Sequence, residues 1–361
     1  YLFAWRKNSA TILNFTIFTV SKHQCFVYMK AIIPVAGAGT RLRPHTYTQP
    51  KALIPLAGKT ILSIIVDQLA AAGINEFVFI IGYLGDKIKD YVLQHYPHLQ
   101  CHFILQNERL GLGHAIYLTK DVVGNDEVLI VLGDTICEYE VNEVLSSPGS
   151  MLGIKKVDDP RNFGVAEIDE NAVITKVVEK PQIPKSNMAL VGLYKIKETA
   201  FLFACLETNI LEGVKEGNGG NGYSLTDSLE CMITRGVIFK SFKVQNWFDC
   251  GRIDTLLESN ATLMKKLGGK IAPDHVFENV IIVPPVSIGS GCEISNAIIG
   301  PNVAIGEQAK IAYSIIKDSI IGDFAGLHDV VLHKSLIGSD AEIKGETRTL
   351  NIGDNTQIDL G

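Results

Sequence analysis

The strongest constraint lies in the last quarter of the chain. Ile288, Ile294, Ile299, Ile305, Ile311, Ile316, Ile321, Leu327, Leu332, Ile337 and Ile343 recur at intervals of five or six residues, and glycine follows at 289, 300, 306, 322 and 338. Neither a helix, with apolar residues at three and four, nor a hairpin, with strict alternation, produces this interval. An inward aliphatic at a fixed step, with a glycine corner beside it, is the pattern of a coiled parallel β-helix, in which each turn buries its side chains on the next. About five coils or fewer fit, followed by an irregular tail at Thr347–Gly361.

Upstream the rhythm differs. Lys30–Val35, Phe77–Ile81, His102–Leu105 and Val128–Leu132 read as short apolar strands, with helices expected over Ile61–Ala72, Gly85–His95 and His114–Lys120. Strands alternating with helices predict an α/β fold: a Rossmann-like, mostly parallel sheet flanked by helices. A single helix over 253–270 would join the two halves. The organisation expected is a catalytic-type domain over 29–265 and a β-helix over 266–361. Ligands of such sheets bind beyond the carboxyl ends of the strands, which directs attention to the loops after Val35, Leu105 and Leu132.

Residues 1–28 stand apart. They hold Arg6, Lys7 and Lys22 but no Asp or Glu, and their apolar run Thr11–Val20 is too short to span a bilayer. Met29-Lys30-Ala31-Ile32-Ile33 then starts a clean strand, so 1–28 reads as translated upstream sequence or a dispensable extension. The net charge of −6 offers no basic field for nucleic acid, and no membrane association is expected. The seven cysteines form no C-x-x-C pair and are odd in number, so reduced thiols in a cytoplasmic protein are expected, with neither a zinc site nor a disulfide framework.

The first loop is Ala36-Gly37-Ala38-Gly39-Thr40-Arg41-Leu42-Arg43-Pro44. Its glycines let backbone N–H groups face a phosphate. The dinucleotide fingerprint fails, because Leu42 stands where its third glycine belongs, and a Walker loop fails because Leu53 precedes Gly58-Lys59-Thr60. Cations accompany the loop instead: Arg41, Arg43 and, within Pro50-Lys51-Ala52-Leu53-Ile54-Pro55, Lys51. Asp134 ends an apolar strand, and Asp249 sits between Trp247-Phe248 and Cys250-Gly251.

These motifs, with Gln106…Leu110-Gly111-Leu112-Gly113-His114, Phe163-Gly164-Val165, Val178-Glu179-Lys180-Pro181 and Ser224-Leu225-Thr226-Asp227 in order, resemble the sugar-1-phosphate nucleotidyltransferases over 29–265. The repeat behind them looks like the left-handed β-helix of many members. The resemblance implies that a sugar 1-phosphate oxygen attacks the α-phosphorus of a nucleoside triphosphate, and pyrophosphate leaves. Arg41 would reach the triphosphate and Lys51 would bridge its phosphates. Ala36, Gly37, Gly39 and Thr40 would hold the nucleotide, and Gln106 with Gly111 would read a pyrimidine. Ala36 departs from the family, which usually has a second glycine there. Glu179 would bind sugar hydroxyls and Lys180 the sugar phosphate, with Gly164 and Gly192 allowing close backbone approach. Asp134 and Asp249 would hold Mg²⁺, whose preference for oxygen ligands suits two carboxylates plus phosphate. Thr226 and Asp227 could equally cap a helix starting near Ser228.

Glucose-1-phosphate thymidylyl transfer from dTTP is the expected activity, with UTP and uridylyl transfer as the alternative. A bifunctional enzyme whose β-helix also transfers an acyl group, with His328 and His333 as candidate bases, is a third reading. A non-catalytic regulatory subunit is a fourth, against which stand Arg41, Lys51, Asp134, Lys180 and Asp249. The β-helix is read as an element of homo-oligomer assembly.

Overall fold

The computed structural model describes residues 29–213 and 222–346; the extension at 1–28 and the tail at Thr347–Gly361 lie outside the described residues. In chain order the first domain contains β1 (Met29–Pro34), the two-residue strands β2 (Pro55–Leu56) and β3 (Lys59–Thr60), α1 (Ile61–Ala71), β4 (Glu76–Ile81), α2 (Gly85–His95), β5 (Gln100–Leu105), α3 (Leu112–Tyr117) and α4 (Lys120–Val123). It continues through β6 (Glu127–Val131), β7 (Thr135–Glu138), α5 (Val141–Ser146), β8 (Ser150–Lys156), β9 (Gly164–Ile168), β10 (Val173–Glu179), β11 (Met188–Ile196), α6 (Thr199–Glu212), α7 (Leu225–Thr234), β12 (Phe239–Lys243), β13 (Asn246–Asp249) and α8 (Ile253–Leu267).

Nine strands form the main sheet in the order β5-β4-β1-β6-β11-β8-β12-β10-β9. The ladders β5-β4-β1-β6 are parallel; β11 then pairs antiparallel with β6 and β8, so the far half is mixed. Alternate residues of β1 enter opposite cores: Ala31 and Ile33 join one apolar cluster, Ile32 the other. Burial on both faces is why these strands read as unbroken apolar runs. Thr60 caps α1, its hydroxyl accepting the Ser63 N–H at 3.0 Å.

Several boundaries differ from expectation. The helix predicted over His114–Lys120 is two short helices, because α3 ends at Tyr117 and Lys120 opens α4. The helix predicted over 253–270 ends at Leu267, where Gly268 takes the left-handed conformation that commonly closes a helix. The all-reduced cysteine expectation is corrected: Cys205 on α6 and Cys231 on α7 form a disulfide with Cα atoms 5.9 Å apart. Their separation of 26 residues carries no spacing signal, and helix packing brings them together.

Beyond α8 the chain winds as parallel coils. Glu293 pairs with Lys310, Lys310 with Gly326 and Gly326 with Glu342, so one coil takes 16 or 17 residues, three of the sequence intervals. Ile294, Ile311 and Leu327 fill the interior. Of the glycines predicted to form corners, Gly300 does so, with φ +109; the other corners fall elsewhere. Left-handed backbone recurs at Asn279, Asn296, Tyr313 and Asp329, at Asn302, Asp318 and Lys334, and at Gln308, Phe324 and Asp340. Asn and Asp tolerate that conformation best among non-glycine residues. Gly289, Gly306, Gly322 and Gly338 instead form a column where adjacent coils touch: a Cβ on Gly322 would lie 2.4 Å from Ser339 N.

One β-helix face packs on the catalytic-type domain. Ala304 and Ile320 belong to the same apolar cluster as Leu53, Ile54 and Leu56, and Leu336 packs against it.

Candidate functional site

The loops at the carboxyl edge of β1, β6, β10 and β13 surround a cavity of about 330 Å³. Its lining includes Arg41, Asp134, Gly164, Glu179, Lys180, Gly192 and Asp249. Residues predicted from segments as far apart as 41 and 249 therefore share one wall.

Asp134 follows β6, and Asp249 ends β13. The β7–β13 ribbon brings them together, pairing Asp249 with Thr135 in antiparallel register. Lys51 Nζ reaches Asp134 Oδ2 at 2.6 Å, while Thr135 donates its hydroxyl to Asp134 Oδ1 at 3.1 Å. Asp249 Oδ1 accepts the Gly251 N–H at 2.8 Å, which fixes that carboxylate from its own turn. Lys51 rides on a 3₁₀ turn, Lys51–Leu53, whose Ala52 and Leu53 are buried, so the ammonium is carried by an anchored segment. Arg41 lies on a second such turn, Thr40–Leu42, anchored by the fully buried Leu42. Gly39 precedes it with φ +59, and its carbonyl accepts the Thr46 hydroxyl at 2.8 Å. Around Gly37 the space where a side chain would stand is open.

Ala36, the departure from the resembled motif, packs its methyl against Gly82 in the loop after β4; a Cβ on Gly82 would sit 2.9 Å from Ala36 Cβ. The loop therefore accommodates the alanine through a glycine on the neighbouring strand's loop.

Gln106, buried just after β5, donates from Nε2 to the Gly111 carbonyl at 3.1 Å, with His114 Nδ1 at 3.3 Å. These contacts orient the amide so that Oε1 is the acceptor it offers.

Also in the lining, Glu179 ends β10, and Lys180 follows with φ +43. The Thr226 hydroxyl donates to Glu179 Oε2 at 2.7 Å, and Lys180 Nζ lies 3.6 Å from Glu179 Oε1. Helix α7 starts at Leu225 after Ser224, earlier than the predicted Ser228, and this puts Thr226 on its first turn facing the cavity. The sequence treated Thr226 as an ambiguous cap; the structure gives its hydroxyl a carboxylate partner. Gly192 has φ +79 at the irregularity of the β8–β11 ladder, and a Cβ there would meet Leu132 Cδ1 at 2.5 Å. Glycine alone suits both constraints. Tyr194, which sequence reasoning missed, lines the same cavity; burial first, and the Glu179 charge second, push its phenol well above the ordinary range. Phe163 and Trp247 pack edge to face at 4.9 Å on the rim.

Nucleophilic thiol chemistry is disfavoured, since burial pushes Cys250, next to Asp249, up to about 12. His328 and His333, the candidate bases of the acyl-transfer reading, are paired with Asp329 at 2.8 Å and Asp318 at 3.3 Å. Among the described residues no helix is long and apolar enough to cross a membrane.

An α/β sheet whose edge gathers paired carboxylates, a lysine and a glycine-rich loop is suited to hold a polyanionic ligand. The nucleotidyl transferase family model matches residues 30–266, and the chain belongs to that family. It is 30% identical over 265 residues to the low-salt glycan biosynthesis nucleotidyltransferase Agl11 of Haloferax volcanii, covering 70% of this chain and 72% of that protein. It is 28% identical to a glucose-1-phosphate thymidylyltransferase of Streptomyces antibioticus, covering 91% of this chain and 93% of that protein. It is 36% identical to the bifunctional protein GlmU of Methanocaldococcus jannaschii, where the match covers 73% of this chain and 61% of that protein. Among solved structures, a UDP-glucose pyrophosphorylase with UDP-glucose bound aligns at TM-score 0.57 and 26% identity, over 66% of this chain and 99% of that one.

Proposed function

We propose that this protein transfers a nucleotidyl group from dTTP or UTP to a sugar 1-phosphate, glucose 1-phosphate foremost, releasing pyrophosphate. The observation that carries this reading is the single cavity whose lining combines Arg41, Asp134 and Asp249 with Gly164, Glu179, Lys180 and Gly192. Two polyanions must meet there, so catalysis consists of positioning and charge compensation. Arg41 and Lys51 offset the triphosphate charge, and Lys180 the sugar phosphate. Glu179, held by Thr226, accepts from sugar hydroxyls. A phosphate oxygen is already ionised at neutral pH, so no protein base is required.

The base preference rests on Gln106. A pyrimidine N3–H needs an acceptor, and the Gly111 carbonyl turns Gln106 Oε1 into one. Thymine and uracil differ by one methyl, worth about 1–3 kcal/mol in a contact pocket, so both triphosphates are accepted to a degree.

Asp134 and Asp249 are the residues that would hold Mg²⁺. Among the described residues no group of three His, Cys, Asp or Glu side chains could hold a metal. A pair of carboxylates completed by phosphate oxygens and water fits an ion that rarely takes an all-protein cage. When bound, Mg²⁺ would neutralise charge on the triphosphate.

Homo-oligomer assembly belongs to the same reading. Ile281, Ile298, Ile315 and Val331 stack outward in register on the β-helix and are exposed, an apolar strip suited to a second copy, which light scattering would detect.

The decisive experiment measures pyrophosphate release from dTTP, UTP, GTP, ATP and CTP against a panel of sugar 1-phosphates, with Mg²⁺ or with chelator. Activity with dTTP or UTP and glucose 1-phosphate, lost in chelator, is the expected result. Preference for GTP would refute the role of Gln106.

A further inference from the structure

The lysine expected to bridge the triphosphate is followed directly by a hairpin whose tip is outside the cavity lining. β2 and β3 pair Leu56 with Lys59, leaving a two-residue turn, Ala57-Gly58, with φ +49 and +78. Left-handed backbone at both turn positions is the tight hairpin geometry, unusual for an alanine.

Something must hold that tip, and the structure gives it a specific partner. Asn260, on α8 and wholly buried, accepts the Ala57 N–H at 2.8 Å through Oδ1. Its Nδ2 donates at 3.1 Å to the carbonyl of Asn302, which forms a corner of the β-helix. Asn302 in turn donates its amide to Asp318 Oδ1 of the next coil at 2.7 Å. Gly58 abuts the β-helix as well: a Cβ there would stand 2.1 Å from Ser287 Oγ. Between the tip and Lys51 the segment is buried at Leu53, Ile54 and Leu56, in the cluster shared with Ala304 and Ile320 of the coils. The hairpin is therefore gripped at its tip by α8 and the β-helix, and Lys51 meets Asp134 just before its base.

We infer that Asn260 is a positioning residue for nucleotidyl transfer: through the Ala57-Gly58 hairpin it lets the β-helix set where the Lys51 ammonium stands against the triphosphate. This rests on the nucleotidyl-transfer reading and assigns the β-helix a part in it beyond assembly. The sugar wall has a different anchor, the Thr226–Glu179 contact, which shares none of these residues. Loss of Asn260 therefore acts on one substrate and spares the other.

The test compares full-length wild type, Asn260→Ala and Asn260→Asp by steady-state kinetics for each substrate and by thermal melting. In Asn260→Ala, kcat/KM for the triphosphate that wild type uses falls about tenfold, the scale of a sub-ångström misplacement, while KM for the sugar 1-phosphate stays within about twofold. Asn260→Asp keeps the acceptor for Ala57, and burial against the Asn302 carbonyl favours the protonated acid, whose O–H replaces the lost amide donor; it gives a smaller loss, about threefold, confined to the same substrate. Should Asn260→Ala fail to fold, the isosteric variant decides. A roughly tenfold rise in KM for the sugar 1-phosphate, or a lowered melting temperature with unchanged kinetics, would overturn the inference and leave the nucleotidyl-transfer reading standing. A wild type that turns over no triphosphate removes that reading and the inference together.

Discussion

Replacing Thr226 by valine removes one hydroxyl and keeps the volume of the side chain. That hydroxyl donates at 2.7 Å to Glu179 Oε2, and Thr226 is only 6% exposed, so water has little access to replace it. The Glu179 side chain is 19% exposed, which leaves its carboxylate partly desolvated and dependent on this donor. A hydrogen bond to a charged group contributes about 1.5–3 kcal/mol. At about 1.4 kcal/mol per decade, kcat/KM for the sugar 1-phosphate should fall by roughly 10- to 150-fold. Lys180 Nζ, 3.6 Å from the other oxygen, does not substitute for the lost donor, because it is committed to the substrate phosphate in the proposed reaction. The assay is pyrophosphate release with the sugar phosphate varied at saturating triphosphate, then the reverse. KM for the triphosphate should hold within about twofold, and Thr226→Ser should recover most of the loss. A Thr226→Val enzyme with unchanged sugar-phosphate kinetics, or one impaired toward the triphosphate alone, would refute the assignment of Glu179 to the sugar wall.

Four further outcomes are expected. Asp134→Asn abolishes Mg²⁺-dependent pyrophosphate release with the circular dichroism spectrum unchanged; wild-type-like turnover would remove Asp134 from the metal pair. Gly192→Ala forces a Cβ to within 2.5 Å of Leu132 at φ +79 and should cost about 2 kcal/mol or more in denaturant unfolding, with loss of activity. Peptide mapping without reductant should recover Cys205 joined to Cys231, and replacing both by serine should lower stability by about 3 kcal/mol for a loop of this length. Lys195→Met should destabilise by about 2–4 kcal/mol, because Lys195 is 1% exposed and its ammonium, 3.5 Å from Glu127 Oε2, serves the Leu145 and Ser147 carbonyls, which would lose their donor.

Local chemistry was legible before any fold was known. Arg41, Asp134, Glu179, Lys180 and Asp249, each picked out by a short motif, line one cavity, and Lys51 reaches it through Asp134. The β-helix was legible for a different reason, the arithmetic of its interval. What escaped were contacts between segments that no local pattern links. Thr226 and Glu179 are 47 residues apart, and only the packing of α7 across β10 joins them. The Cys205–Cys231 pair depends on α6 lying along α7. The glycines of the coils mark a real regularity, yet apart from Gly300 it serves the contact between successive coils, while asparagine and aspartate take most of the bends. Periodicity reports that a position is special without reporting which force makes it so.

The column Gly289, Gly306, Gly322 and Gly338 makes the length of this domain a quantised variable. Removing or adding one residue within a strand shifts every later glycine out of the column and every later isoleucine out of the interior; the corner at Gly300–Asn302 is an exception, holding one residue more than its counterpart in the next coil while the column stays in line. Removing 16 or 17 restores all of them at once. Sequence drift in this region is thus confined to substitutions at outward positions, whereas changes of length come in whole coils. A lineage carrying this architecture can lengthen or shorten its C-terminal stack in discrete steps, each of which moves the end of the stack while the contact with Asn260 stays where it is.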